Sequence, residues 1–176
     1  MMDCAMLLIA ARLASCAQPV SHFGQAEAFA RSGEYAQALK EYDAMLGTSG
    51  EDALIRNNRA LIFIATGEPG KAREEAQKAA DLAPREGLYR VTLALAWMEG
   101  ENPDLKKAAS VLKKAVRLLK RKKDYDAMAE AYYNLGVVAQ RRRKLEDARD
   151  YYELALDANP SHEKAGVALD AIAPRQ

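Results

Sequence analysis

Residues 129–160, AEAYYNLGVVAQRRRKLEDARDYYELALDANP, constrain the fold more than any other part of the chain. Tyr132, Leu135, Gly136 and Ala139 recur at spacings of three and four, which places them on one face of a helix. Residues 141–144 are a polar break. Leu145, Ala148, Tyr152 and Ala155 then form a second stripe, closed by Asn159 and Pro160. Proline cannot continue a helix and biases the residue before it away from the helical region. Gly136 on the first helix and Ala148 on the second lack the bulk to hold the two backbones apart. One such hairpin buries little apolar area, so it needs neighbours stacked against it.

The 176 residues fit one domain. Apolar residues make up 49%, enough for a core, yet aromatics only 7%; alanine supplies much of the difference, as closely stacked helices require. A formal net charge of +1 argues against a bulk polyanion binder and leaves local patches open. Both cysteines, Cys4 and Cys16, fall within the first sixteen residues, so there is neither a disulfide framework nor a metal-ligand spacing. With two histidines and no phosphate-cradling glycine loop, no catalytic residue, metal or cofactor is expected, and the chain reads as a non-enzyme. No apolar run reaches the roughly 18–20 residues of a membrane-spanning helix.

The hairpin at 129–160 resembles the tetratricopeptide repeat. That family favours an aromatic, Leu, Gly, an aromatic or small residue, Ala, an aromatic, Ala and a closing Pro at fixed spacings. Tyr132, Leu135, Gly136, Ala139, Ala148, Tyr152, Ala155 and Pro160 fill those places, and only Ala139, where tyrosine is usual, departs noticeably. The resemblance implies an all-α fold, a tetratricopeptide-type superhelical solenoid of about four antiparallel helix pairs plus a C-terminal capping helix. Over a domain spanning 16–176, the repeats are expected at about 19–52, 53–86, 87–122 and 129–162, with the cap at 161–173.

In the first repeat Ala26, Phe29, Ala38, Tyr42 and Met45 fall on the pattern, Ser32, Gly33 and Glu34 make the turn, and Gly50 replaces the closing proline. His22 reads as a packed or half-exposed residue, because no nucleophile or ligand set lies near it. In the second repeat Ala60, Phe63, Gly67, Ala72, Ala76, Ala79 and Pro84 fit. Arg56 and Arg59 take apolar places there, so looser packing of its first helix is expected. In the third, Trp97 to Leu105 is eight positions against six from Ala139 to Leu145, so the turn carries two extra residues. Asn102, Pro103 and Asp104 supply its turn and helix-start chemistry. Ala108, Leu112 and Ala115 continue the stripe into a helix expected to run through Lys123 as an elongated hairpin, with the fourth repeat starting at Ala129. In the cap Ser161 is the expected N-cap, Ala165, Leu169 and Ile172 face inward, and His162 is exposed.

In this family the first helices of successive repeats line a concave groove that holds a peptide. Carried over residue by residue, the groove comprises Phe23, Glu27, Asn57, Leu61, Ile64, Val91, Leu95, Met98, Tyr133, Val137 and Gln140. Such a face, mainly apolar with a few polar handles, suits an amphipathic helix or an extended segment. The competing reading makes these residues core, or fills the groove with the chain's own termini. Members that grip a C-terminal carboxylate use Lys, Asn and Arg; here only Asn58 matches, and Phe23, Glu27, Leu88 and Thr92 stand at other clamp places, so no charge-assisted clamp forms. Basic runs occupy Lys106, Lys107, Lys113, Lys114, Arg117, 120–123 and 141–144. The plain reading is a solvated outer face; the sharper one is an acidic partner, or lipid phosphates, against the helix over 106–123. No aromatics interleave with these cations, so nucleic acid is not expected.

Near the start, residues 5–11 are apolar and lead into Leu13, Ala14, Ser15 and Cys16. This resembles a bacterial lipobox, in which small residues suit a peptidase cleft and the thiol, here Cys16, takes a diacylglycerol. Residues 1–15 would then be a signal peptide. Asp3, where Lys or Arg is usual, and Arg12, beside the lipobox, depart from the pattern. Cleavage before Cys16 would remove Cys4 and leave no free thiol in an oxidising periplasm. Ala17 is not the aspartate that commonly retains lipoproteins at the inner membrane. The expectation is a lipid-anchored protein on the periplasmic face of the outer membrane, binding a protein or peptide and, by analogy with repeat lipoproteins, assisting pilus or secretion-complex assembly. The rival readings are a cytosolic adaptor or chaperone-like module and an accessory subunit of an enzyme complex.

Overall fold

The computed structural model describes residues 22–172. The expectations for 1–15, Cys16 and Ala173 lie outside them. Among the described residues all regular structure is helical. The chain divides into two units, Met1–Gly50 and Glu51–Gln176.

In the first unit α1 (His22–Arg31) and α2 (Tyr35–Ser49) form one hairpin. Ala26, Ala38 and Tyr42 are buried in it, as the repeat pattern predicts. Gly33 turns the chain at φ +80, a conformation that penalises any Cβ. Phe23 meets the Tyr42 ring edge-on at 6.2 Å. His22 is an exposed surface residue whose Nδ1 lies 2.9 Å from Glu41.

The second unit contains α3 (Ala53–Ala65), α4 (Pro69–Leu82), α5 (Gly87–Met98), α6 (Leu105–Lys122), α7 (Tyr125–Arg141), α8 (Leu145–Ala158) and α9 (Glu163–Ile172). Three hairpins, α3/α4, α5/α6 and α7/α8, stack in chain order; α4 packs on α5, α6 on α7 and α8 on α9. The first helices α3, α5 and α7 also touch in turn, forming a continuous row. Alanines close the contacts: Ala60, Ala76, Ala94, Ala108, Ala115, Ala131 and Ala148 are wholly buried, and Leu112, Leu119, Leu135 and Val138 fill the layers between them. Helix starts follow local chemistry. Asp52 accepts from the Leu54 and Ile55 amides at 2.8 and 3.0 Å, and Asp104 from the Lys107 amide at 2.8 Å. Counting both units, there are four helix pairs plus a terminal helix among the described residues.

Three local expectations are corrected. The insertion near residue 123 does elongate a hairpin, but both helices share it. Lys123 ends α6 in the left-handed region at φ 58, and Asp124 caps α7, which begins at Tyr125, about one turn ahead of the repeat register at Ala129. The terminal helix begins at Glu163 rather than Ser161, and its cap is His162, whose Nδ1 accepts from the Ala165 amide at 3.1 Å. His162 is not exposed either. Its side chain is only 10% accessible, and the ring lies 5.4 Å from that of Tyr133.

The first helix of the second repeat is not loosely packed but ionically fastened. Arg56 places Nη1 3.0 Å from each oxygen of Glu75 on α4, while its Nε and Nη2 reach Glu51 at 2.9 and 2.7 Å. Arg59 Nε lies 3.2 Å from the same Glu75. The side chains of Arg56, Arg59 and Glu75 are 12%, 15% and 8% accessible. An ionic layer therefore stands where an apolar one is usual. Hydrogen bonding to Glu51, then to Glu75, holds the Arg56 pKa above its ordinary value, and Arg56 in turn lowers that of Glu51.

Candidate functional site

The row α3–α5–α7 carries most of the candidate groove residues. Leu61 is 43% exposed, and Ile64 and Leu95 are half-buried. Asn57, Val91 and Met98 are buried, so they support the wall without presenting much surface. Tyr133 and Val137 of α7, like Leu169 and Ile172 of α9, are partly buried against Ala139, Ala148 and Tyr152. Lys164 Nζ lies 5.9 Å from the Tyr133 ring centre. Gln140 is exposed, yet its Oε1 accepts from the Tyr152 hydroxyl at 2.7 Å. Burial, with a smaller contribution from Tyr133, pushes the Tyr152 pKa up to about 12, which keeps it a donor. Phe23 and Glu27 belong to the first unit, where Glu27 lies 3.9 Å from Arg31.

The accessible part of this row is a leucine face that the sequence reading named only in half. Leu54 and Leu88 are 44% and 43% exposed. Each stands seven residues before a candidate already named, Leu61 and Leu95, and so falls on the same helical face two turns earlier. The two pairs occupy equivalent places in consecutive repeats. Asn57 lies between Leu54 and Leu61 on α3, and its buried Oδ1 meets no donor among the described residues.

His162 ties α9 to α7. With Nδ1 accepting from Ala165, the proton sits on Nε2, which donates to Glu130 Oε2 at 3.1 Å. His162→Ala is expected to lower stability by about 1–2 kcal/mol through loss of the cap and of this bond. His162→Asn, which keeps the cap, should recover most of that in urea unfolding.

The second surface is α6. Its Lys and Arg side chains are exposed along the whole helix. Lys122 bonds Glu86, and Lys107 stands 5.5 Å from the Trp97 ring centre. Arg90 of α5, Lys114, Arg117 and Arg121 line a cleft of about 220 Å³ floored by Pro84 and Leu118. Among the described residues no helix is long and apolar enough to cross a membrane.

Stacked helix hairpins with buried small residues at their contacts define a repeat scaffold with an open row of first helices. Two family models of the tetratricopeptide repeat match, over residues 22–87 and 129–162. Together they span more than half of the sequence, and the chain belongs to the tetratricopeptide-repeat family. None of the curated proteins matches it. Similar solved structures include Pseudomonas aeruginosa PilF, at TM-score 0.75 and 20% identity, covering 86% of this chain and 66% of that one. YrrB, described as a TPR protein with an unusual peptide-binding site, gives 0.68 and 19% over 85% and 73%. The first TPR of Spaghetti (RPAP3), bound to the HSP90 peptide SRMEEVD, gives 0.57 and 25% over 69% and 90%. At such identities the likeness is one of fold.

Proposed function

We propose that this chain is a non-enzymatic scaffold that binds an amphipathic helix or extended peptide on the leucine face of α3 and α5. The observation that carries this reading is the set of Leu54, Leu61 and Leu88, exposed at equivalent places of consecutive first helices, with the half-buried Leu95 two turns beyond Leu88. Single exposed leucines need no explanation, but a contiguous set in one row marks an interaction site. The peptide-binding site of YrrB and the peptide bound to Spaghetti support the class of activity and not the identity of the ligand.

Peptides selected from a random library against the wild-type chain should lose at least tenfold in affinity when Leu61→Asp or Leu88→Asp is introduced at these exposed positions, with thermal unfolding unchanged. Equal binding by both variants would move the site elsewhere. We further propose lipid anchoring at Cys16 and a role in pilus or secretion-complex assembly. The supports are the Leu13-Ala14-Ser15-Cys16 motif and the fold shared with PilF. Intact mass from a Gram-negative host should lack residues 1–15 and carry acyl chains, and Cys16→Ala should abolish both changes. An unprocessed soluble product would leave a cytosolic adaptor.

A further inference from the structure

We propose that this chain assembles head to tail with further copies of itself, the acidic outer stripe of α8 in one copy docking on the basic stripe and cleft of α6 in the next. The inference does not depend on the leucine face. In α6 the basic pairs recur every seven residues, at Lys106-Lys107, Lys113-Lys114 and Lys120-Arg121, and the helix contains no Asp or Glu. Seven residues are nearly two helical turns, so the pairs stack into one stripe with little drift. Toward its C-terminal half this stripe opens into the cleft lined by Arg90, Lys114, Arg117 and Arg121, which has no carboxylate among its lining residues.

The complementary surface is on the same chain. In α8, Glu146, Asp150, Glu153 and Asp157 are all exposed and follow at spacings of four, three and four, the same seven-residue period. Asp147, off that stripe, pairs with Lys144 at 3.3 Å; the four stripe carboxylates have no such partner among the described residues. Leu154, 39% exposed, lies beside Asp150 and Asp157, as Leu118 lies beside the cations of the cleft. The acidic stripe is about 16 Å long and the basic one about 22 Å, so the first fits within the second. A bilayer is the weaker occupant. Helices that bind membrane surfaces use their apolar face, and that of α6 is buried in the core through Leu112 and Leu119. Used one at a time, such contacts leave a free stripe on each copy, so they repeat from copy to copy as an open filament or a closed ring.

The test is sedimentation velocity of the full-length chain carrying Cys16→Ala, with circular dichroism and melting as folding checks. At about 20 mM salt the mass should rise with concentration, and at about 0.5 M salt it should fall to that of the monomer. Lys114→Glu/Arg117→Glu/Arg121→Glu and Asp150→Lys/Glu153→Lys/Asp157→Lys should each associate at least tenfold more weakly on their own. Their equimolar mixture should associate again, because each reversed stripe now complements the other copy. Arg31→Glu/Lys40→Glu, which reverses cations elsewhere, should behave like wild type. The proposal fails if wild type stays monomeric at low salt up to about 0.1 mM. It fails too if folded reversed variants assemble as wild type does, or if the mixture does not recover. Binding of phosphatidylglycerol vesicles or of a polyglutamate peptide without self-association would overturn it in favour of a bilayer or a foreign acidic protein.

Discussion

Glu75→Ala is expected to destabilise the second unit by about 3–5 kcal/mol, one of the two largest losses a single substitution should produce in this protein. The carboxylate stands between two guanidinium groups that are themselves mostly out of water, at 12% and 15% accessibility. Removing it leaves Arg56 with only Glu51, which is 57% accessible and weakened by solvent, and deprives Arg59 of its ionic partner on α4. The damage comes from stranding buried charge rather than from losing a favourable pair, and that distinction can be measured. Glu75→Leu combined with Arg56→Met and Arg59→Leu restores the apolar layer usual in the family, and should recover most of the loss in urea unfolding. If Glu75→Ala unfolds within about 1 kcal/mol of wild type, water reaches this cluster and the ionic layer is not structural.

The sequence shows why half of this arrangement was legible. Arg56 and Arg59 stand out because they break an apolar stripe, but Glu75 does not, since a charge between Ala72 and Ala76 looks like any solvated helix position. Its partner lies 19 residues away across a hairpin, and periodicity along one helix carries no information about what faces it. His162 was misread for the same reason. Its neighbours Ser161, Glu163 and Lys164 suggest solvent, whereas its burial comes from Tyr133 and Glu130, the latter 32 residues away. The repeat pattern located the hairpins because glycine and alanine at helix contacts are a steric requirement written residue by residue. It could not rank the groove positions by depth. Leu61 and Met98 are both named by register, yet one is 43% exposed and the other 4%.

Gly136→Ala should be as severe in kind, although it adds a single carbon. Glycine inside a helix is normally the weaker choice by about 1 kcal/mol relative to alanine, so a gain would be expected at an open position. Here a Cβ built on Gly136 would lie 2.9 Å from Tyr152 Cζ and nearer still to Cε1 and Cδ1. The ring has nowhere to go, because Tyr152 is wholly buried, its hydroxyl is bonded to Gln140, and the Tyr133 ring lies 5.8 Å away. Overpacking against a fixed ring outweighs the helix-propensity gain, and a net loss of about 1–3 kcal/mol is expected, with Gly136→Leu larger. The cause can be separated from a general effect on α7 by removing the ring. In a Tyr152→Ala background the cavity should accept the added methyl, so that Gly136→Ala becomes neutral or stabilising there. This coupling in a double-mutant cycle is what a true close approach between α7 and α8 predicts. The control is Gly166→Ala in α9, where a Cβ meets nothing within 4 Å and propensity alone should raise stability slightly. If Gly136→Ala behaves like Gly166→Ala, the two helices of the fourth repeat do not pack in the register that places Gly136 on Tyr152.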